Sequence, residues 1–298
     1  MAARRRILVT GASGLLGGRL AELLAESHDL VAMRHRAPVP PGLETVDADL
    51  LDGPATFRAI ETARPDAVVH SAALADVDRC EADADLARRS NVDASETIAR
   101  ICHARGLRLV ALSTDLVLPG DRAHSAEDQP ARPVLVYSRT KLAGEEAVLA
   151  EAPDAVVARV ALVLGRGFGP RASASEGIAA ALAAGRPLRL FTDQYRTPID
   201  PESVADAVRR LLDRPVRGRI HLGGPERLDR YALGMRVAHA LGLPTGGIEG
   251  VPAGSATGAV PRPADVSLDS ARAHRELGWR PRPLELAIRE GRRKVPAG

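Results

Sequence analysis

"RILVTGASGLLG", residues 6–17, is a short apolar run that breaks into three spaced glycines and then turns helical. "RILVT" (6–10) reads as a buried strand, and "GRLAELLAE" (18–26) places Leu20, Leu23 and Leu24 on one helical face. Between them "TGASGLLG" (10–17) sets Gly11, Gly14 and Gly17 at a strand-to-helix junction. A pyrophosphate site needs a tight turn, close backbone approach and free amides at a helix N-terminus, and glycines at this point supply all three. The spacing is G-x-x-G-x-x-G rather than G-x-G-x-x-G. Glycines also end strands for plain turn reasons, but at the first βα junction they favour a dinucleotide site.

Outward from this stretch, short β-branched runs alternate with helical patterns. "LVAM" (30–33) and "AVVH" (67–70) read as strands, with a helix over 54–64 opened by Pro54. A long helix is predicted over roughly 83–104, then a strand at "LRLVALS" (107–113), a helix carrying Tyr137, and a strand over 155–164. Continuous apolar strands separated by helices imply a parallel sheet covered on both faces. After Gly165 glycine and proline become frequent, and "GRGFGPRASASEGIAAALAAG" reads as a loop leading into one helix. "DPESVADAVRRLL" (200–212) starts a helix with Asp200 as N-cap and Pro201 in the first position. "RIHLGG" (219–224) reads as one more strand. The expected architecture is α/β, a Rossmann-type doubly wound parallel sheet with a smaller C-terminal lobe. Residues 1–165 plus about 196–222 form the dinucleotide domain, and about 166–195 plus 223–298 the substrate lobe.

The 41 basic and 38 acidic residues are mixed along the chain, and aromatics make up 2%. A nucleic-acid surface would concentrate charge and interleave aromatics, so no nucleic-acid partner is expected. The arginine clusters at 4–6 and 289–294 read as solvated ends. Cys80 and Cys102 show no CxxC spacing, which points to a reduced, cytoplasmic setting. No apolar run approaches the length of a membrane span, and the scattered histidines offer no metal-ligand spacing.

Sites that bind NAD usually carry an acid at the end of the second strand, about 20 residues after the glycines. Here Arg34, His35 and Arg36 occupy that place. A guanidinium suits a 2′-phosphate, so NADP(H) is favoured, and an exposed arginine is the plain alternative. Asp49 in "DADL" (47–50) either accepts from an adenine amino group or caps the following helix.

"YSRTKLAGEE" (137–146) holds one of only two lysines, Lys141 and Lys294, in a chain that otherwise uses arginine. Tyr137 and Lys141 are four apart and share a helical face. A phenol is a poor acid–base group near neutrality, and an adjacent ammonium would lower its pKa. Three tyrosines and two lysines placed at random reach this spacing about 2 times in 100, which argues against accident. Thr114 or Ser113, where "LVALSTDLV" runs off a buried strand, would donate to a substrate carbonyl while Tyr137 protonates it.

Together these motifs resemble the extended short-chain dehydrogenase/reductase superfamily. Within it the chain is most similar to dTDP-4-dehydrorhamnose reductases and to the NADP-binding β subunit of methionine adenosyltransferase. The likeness includes "VTGASGLLG", "PDAVVHSAALADVDRCE", "NVDAS", "LSTDLVLPG", "YSRTKLAGE", "DQYRTPIDPESVAD" and "RPADVSLDSARAHRELGW". It implies Thr114, Tyr137 and Lys141 as a catalytic triad. It also implies Gly11, Ser13, Gly14, Leu15, Leu16, Gly17, Arg34, His35, Asp49, Leu50, Ser71, Ala72 and Ala73 around NADP(H), with Tyr137 and Lys141 reaching the nicotinamide ribose.

Two positions depart from the rhamnose-forming pattern: Leu116 stands where those reductases carry a Tyr, and Leu162 where they carry a Trp. Leu116 also removes a carboxylate that related dehydratases use. The implied activity is NADPH-dependent reduction of a keto group on a nucleotide-activated deoxysugar. A cofactor-binding regulatory subunit and a nucleotide-sugar epimerase are the alternatives, and a homodimer is compatible with any of them.

Overall fold

Residues 4–255 and 262–292 are described by the computed structural model of this protein. β1 (Arg6–Thr10) holds Ile7, Leu8 and Val9 with no exposed surface, as a strand covered on both faces must. α1 (Leu15–Ala25) crosses back, and β2 (Asp29–Arg34) pairs parallel to β1. β3 (Glu44–Asp47) adds the outer edge beside β2. α2 (Gly53–Ala63) begins where Asp52 accepts from the Ala55 amide, with Pro54 in its first turn, and leads to β4 (Ala67–His70).

The long helix predicted over roughly 83–104 forms as one run, with a π-helical turn inside it and a separate short helix before it. The chain forms α3 (Val77–Ala82), α4 (Ala84–Arg88), a π-helical turn at Arg89–Asp93, and α5 (Ala94–Ala104). The wide turn buries Asn91, which accepts from the Leu74 amide (2.8 Å) and donates to Thr140 Oγ1 (3.0 Å). β5 (Arg108–Thr114), α6 (Val136–Glu151) and β6 (Val156–Val160) follow. α6 runs so close to the π turn that a Cβ on Gly144 would lie 2.2 Å from the Asn91 carbonyl oxygen. The predicted strand over 155–164 is shorter, because after Val160 the chain leaves the sheet and only Val163 bridges onward, to Ile199.

The remaining elements are α7 (Ala174–Ala183), β7 (Leu188–Phe191), β8 (Tyr195–Arg196), α8 (Pro201–Asp213), β9 (Gly218–Leu222), β10 (Leu228–Asp229), α9 (Arg230–Leu241), β11 (Ile248–Val251), α10 (Ala271–Leu277) and α11 (Leu284–Arg292). The central sheet has the order β3-β2-β1-β4-β5-β6-β9 with every neighbouring pair parallel. It is the doubly wound Rossmann-type sheet expected from the sequence. Strand order reverses between β1 and β4, which opens a crevice at the carboxyl ends of the strands.

Leu20 and Leu24 of α1 with Val204, Val208 and Leu211 of α8 cover one face. Ile60 of α2, Ile98 of α5 and Val148 of α6 cover the other. Buried Trp279 closes the first face and donates its Nε1 hydrogen to the Ser203 carbonyl at 2.9 Å, so the indole is buried without an orphaned donor. Two further sheets, β7 with β11 and β8 with β10, accompany a separate apolar cluster around Leu164, Leu233 and Ile288.

The N-terminal arginines are not merely solvated. Arg6 pairs with Asp29 and Glu44 and donates to the Ala63 carbonyl, and Arg5 donates to the Leu212 carbonyl. They tie β1 to its neighbours because the sheet edge presents carboxylates and helix-end carbonyls there. The basic cluster at 289–294 runs past the described residues.

Candidate active site

At the β1–α1 junction Gly11 has φ +69°, in the left-handed region that suits glycine, and a Cβ there would lie 2.6 Å from the Ala72 nitrogen. A Cβ on Gly17 would lie 2.2 Å from the Gly11 carbonyl oxygen, so the helix start packs directly on the turn. No side chain caps α1 at Gly14, which leaves its first amides free. Gly11, Ser13, Gly14, Leu15, Leu16 and Gly17 all line one cavity of about 1030 Å³. A bare helix N-terminus over a backbone-lined turn fits a dinucleotide pyrophosphate.

Ser71, Ala72 and Ala73, just beyond β4, line the same cavity, as do His35, Asp49 and Leu50 at its far side. Asp49 accepts from the Leu51 amide at 3.0 Å, while Asp52 caps α2, so Asp49 is not that helix's cap. Its Oδ2 stands 3.6 Å from His35 Nε2.

Arg34 is placed differently from the expectation. It lies outside the lining and grips Asp47 with two hydrogen bonds of 2.7 and 3.0 Å. The two are register partners on β2 and β3, and strand alternation sends Met33 and His35 to the cavity instead. Arg36 does line the cavity and makes no ion pair among the described residues.

The reactive end is built by β5 and α6. Thr114 is the last β5 residue, its Oγ1 accepting from the Leu116 amide and donating to Asp115 Oδ1, both at 3.2 Å. Ser113, the alternative, also lines the cavity, but its hydroxyl is committed to Glu145 Oε1 at 2.6 Å. α6 has no side-chain cap of its own, and Glu81 accepts from the Val136 amide at 2.8 Å, seating the first turn from which Tyr137 projects. Lys141, 7% exposed, donates from Nζ to the Leu112 carbonyl at 2.9 Å. Thr114, Tyr137 and Lys141 therefore converge on one wall of the cavity.

The electrostatics differ from the expectation. Burial pushes the Tyr137 phenol well above its ordinary value, opposed by a hydrogen bond with Thr114 and reinforced by Asp115 and Cys80. The Lys141 ammonium is directed onto the Leu112 carbonyl. Burial lowers Lys141 itself to about 8, against the pull of Glu145. Buried His70 is held neutral, down to about 3 through burial and then the Lys141 charge, with Thr10 and Ser95 on its two nitrogens.

Toward the C-terminal lobe the lining continues through Leu116, Leu162, Arg171 and Arg262. Asp115 lines the cavity with them, its carboxyl raised by burial and drawn down by Arg196, whose Nε lies 3.9 Å from Oδ2. Arg36 was named from sequence beside Arg34 and His35; Arg171 and Arg262 of the lining, and Asn91 beneath it, were not singled out. Asn91 and Arg262 were visible only as parts of the quoted "NVDAS" and "RPADV" motifs.

The chain is 34% identical over 280 residues to dTDP-4-dehydrorhamnose reductase of Mycobacterium tuberculosis, covering 91% of this chain and 86% of that protein. It is 31% identical over 295 residues to the methionine adenosyltransferase 2 subunit beta of Bos taurus, covering 96% and 86%. A crystal structure of a hypothetical dTDP-4-dehydrorhamnose reductase from Sulfolobus tokodaii superposes with a TM-score of 0.82 at 30% identity, covering 92% of this chain and 95% of that one. The RmlD substrate binding domain family matches residues 5–295, and with the glycine cradle and the Thr-Tyr-Lys wall in place the chain belongs to that family of extended short-chain dehydrogenase/reductases.

Proposed function

We propose that this protein is an NADPH-dependent reductase of a keto group on a nucleotide-activated deoxysugar. The observation that supports it best is one continuous cavity running from the glycine cradle, past Thr114, Tyr137 and Lys141, to Arg171 and Arg262. Its volume lies at the upper end of ordinary ligand sites, room for a cofactor and a second polar ligand together.

Bound NADPH would supply the hydride, held by the α1 amides, Ser71–Ala73 and the Arg36 edge. Tyr137 is kept protonated by its burial, so it meets a ketone as a proton donor. Its phenol transfers that proton to the ketone oxygen as the carbon receives hydride. Thr114 orients the oxygen, and the Lys141 ammonium, held on Leu112, stabilises the phenolate left behind. Arg262 and Arg171, the latter paired with Asp76, line the same cavity and bring the charge a nucleoside diphosphate needs. The lobe formed by about 166–195 and the described residues of 223–292 would close over the sugar, and the two buried free cysteines suit a reducing, cytoplasmic compartment. Among the described residues no helix is long and apolar enough to cross a membrane.

Leu116 and Leu162 both line the cavity, in place of the aromatics that the resemblance leads one to expect. dTDP-4-keto-rhamnose is therefore expected to be a poor substrate, with kcat/KM below about 10⁴ M⁻¹s⁻¹. An NADPH-oxidation screen over 4-keto nucleotide sugars tests the reading, and a better substrate should appear in it. The same two leucines, with the likeness to the methionine adenosyltransferase subunit, favour a second reading as a cofactor-binding regulatory subunit. That reading predicts NADPH binding and no turnover across the panel.

The cofactor preference should follow Arg36. Arg36→Ala is expected to weaken NADPH roughly 10- to 100-fold while changing NADH little, the scale of a hydrogen bond to a charged group. Arg34→Ala should leave the ratio unchanged, because that guanidinium is committed to Asp47. Titration calorimetry with both cofactors decides it, and a selective NADPH loss in Arg34→Ala alone would reverse the assignment.

A further inference from the structure

α6 carries Tyr137, Lys141 and Glu145 at four-residue intervals, so all three lie on one face. The first two line the cavity; Glu145 does not, yet it is 3% exposed and the most heavily bonded carboxylate in the region. Oε1 accepts from Ser113 Oγ (2.6 Å) and Arg159 Nε (2.9 Å), and Oε2 from Arg159 Nη2 and Arg219 Nε (both 2.8 Å). Those donors come from β5, β6 and β9, three adjacent strands, with Ser113 and Arg159 in register. Behind them His221 binds the Ser125 carbonyl through Nδ1 (3.0 Å), which places its proton there and leaves Nε2 to accept from Arg159 Nη1 (3.4 Å).

Ser113 is flanked by the two groups the chemistry uses: Leu112, whose carbonyl holds Lys141, and Thr114. We infer that Glu145 is a positioning residue of the active site, acting through Lys141 and Thr114: it locks α6 to the end of β5 and supplies the negative charge beside the Lys141 amine. A buried ion pair adds little net stability over an apolar pair of similar volume, so stability alone does not account for it. The groups that act on the Lys141 amine are Glu145 on its own helix, His70 from β4 and the Leu112 carbonyl from β5. Of these, only Glu145 opposes the lowering of Lys141 by burial. Burial would raise Glu145 itself, but the bonds from Arg159, Ser113 and Arg219 bring it below the ordinary range, so it stays ionised.

The chain has two lysines, so ¹³C-lysine labelling gives two side-chain signals, and Lys141→Arg assigns them. In the wild type Lys141 should titrate near 8. Glu145→Gln should move that midpoint down by about one pH unit or more. Because this change leaves Arg159 buried and unpaired, the double variant Glu145→Leu/Arg159→Met is the companion, expected to keep a near wild-type melt and show the same downward move.

Kinetically, the alkaline fall of kcat should shift with the amine while KM for NADPH changes little. A Lys141 midpoint that stays near 8 in the folded variants overturns the inference and leaves Glu145 as packing. The kinetic arm rests on the reductase reading, but the titration needs no turnover. An inactive wild type would therefore count against the reductase reading alone.

Discussion

Tyr137→Phe is expected to lower kcat by about 10²–10⁴-fold, with NADPH affinity and melting temperature nearly unchanged. The ring sits against Cys80, Ala87 and Val77 and is 9% exposed, so phenylalanine keeps the packing and removes only the hydroxyl. What is lost is the one phenolic proton held at the cavity wall beside Thr114. Burial keeps that phenol protonated across the neutral range, so the resting enzyme is loaded as an acid, and the phenolate formed in turnover is the costly species. Single-turnover NADPH oxidation on the best substrate from the screen reads the loss directly. Retention of more than about a tenth of wild-type kcat would move the proton source elsewhere.

Lys141→Arg should cost at least about 10²-fold in kcat/KM, although the charge is kept. The site offers the ammonium a single carbonyl, that of Leu112, at 2.9 Å. A guanidinium brings five donors in a rigid plane, and the nearest carboxylate, Glu145, is already filled by Ser113, Arg159 and Arg219. The extra donors would be buried without partners or would push into the cavity, so a lowered melting temperature is expected beside the kinetic loss.

The pH profile carries a further sign. Burial lowers Lys141 to about 8, so the charged form, and the activity it supports, is complete below that value and lost as pH rises through it. Arginine stays charged throughout, and the residual activity of Lys141→Arg should lack that alkaline fall. Near wild-type turnover in the variant would mean that only charge is needed at this position.

Gly11, Gly14 and Gly17 were legible from sequence because a βα turn is local, and its needs appear in consecutive residues. The Tyr137–Lys141 pair was legible for the same reason, since four residues along a helix is a fixed geometry wherever that helix lies. Thr114 was half legible: the strand end was plain, and the choice over Ser113 was not. Both residues line the cavity, but the Ser113 hydroxyl is committed to Glu145 on α6, a partner that only the packing of α6 on β5 supplies. The π turn at Arg89–Asp93 escaped, because one residue added to a helical turn leaves the apolar period nearly intact.

By itself, then, the sequence determined the alternation of strands and helices, the glycine turn and the Tyr137–Lys141 spacing, all set by contacts within a turn or two. Only the tertiary structure decided which arginine faces the cavity, since that depends on Arg34 meeting Asp47 across β2 and β3. It also decided that the ammonium rests on Leu112 rather than on the phenol, and that Glu145 gathers β5, β6 and β9 beneath α6. The physical reason is range: periodicity reports which face a residue occupies, while its partner is chosen by sheet register and by packing between segments far apart in the chain.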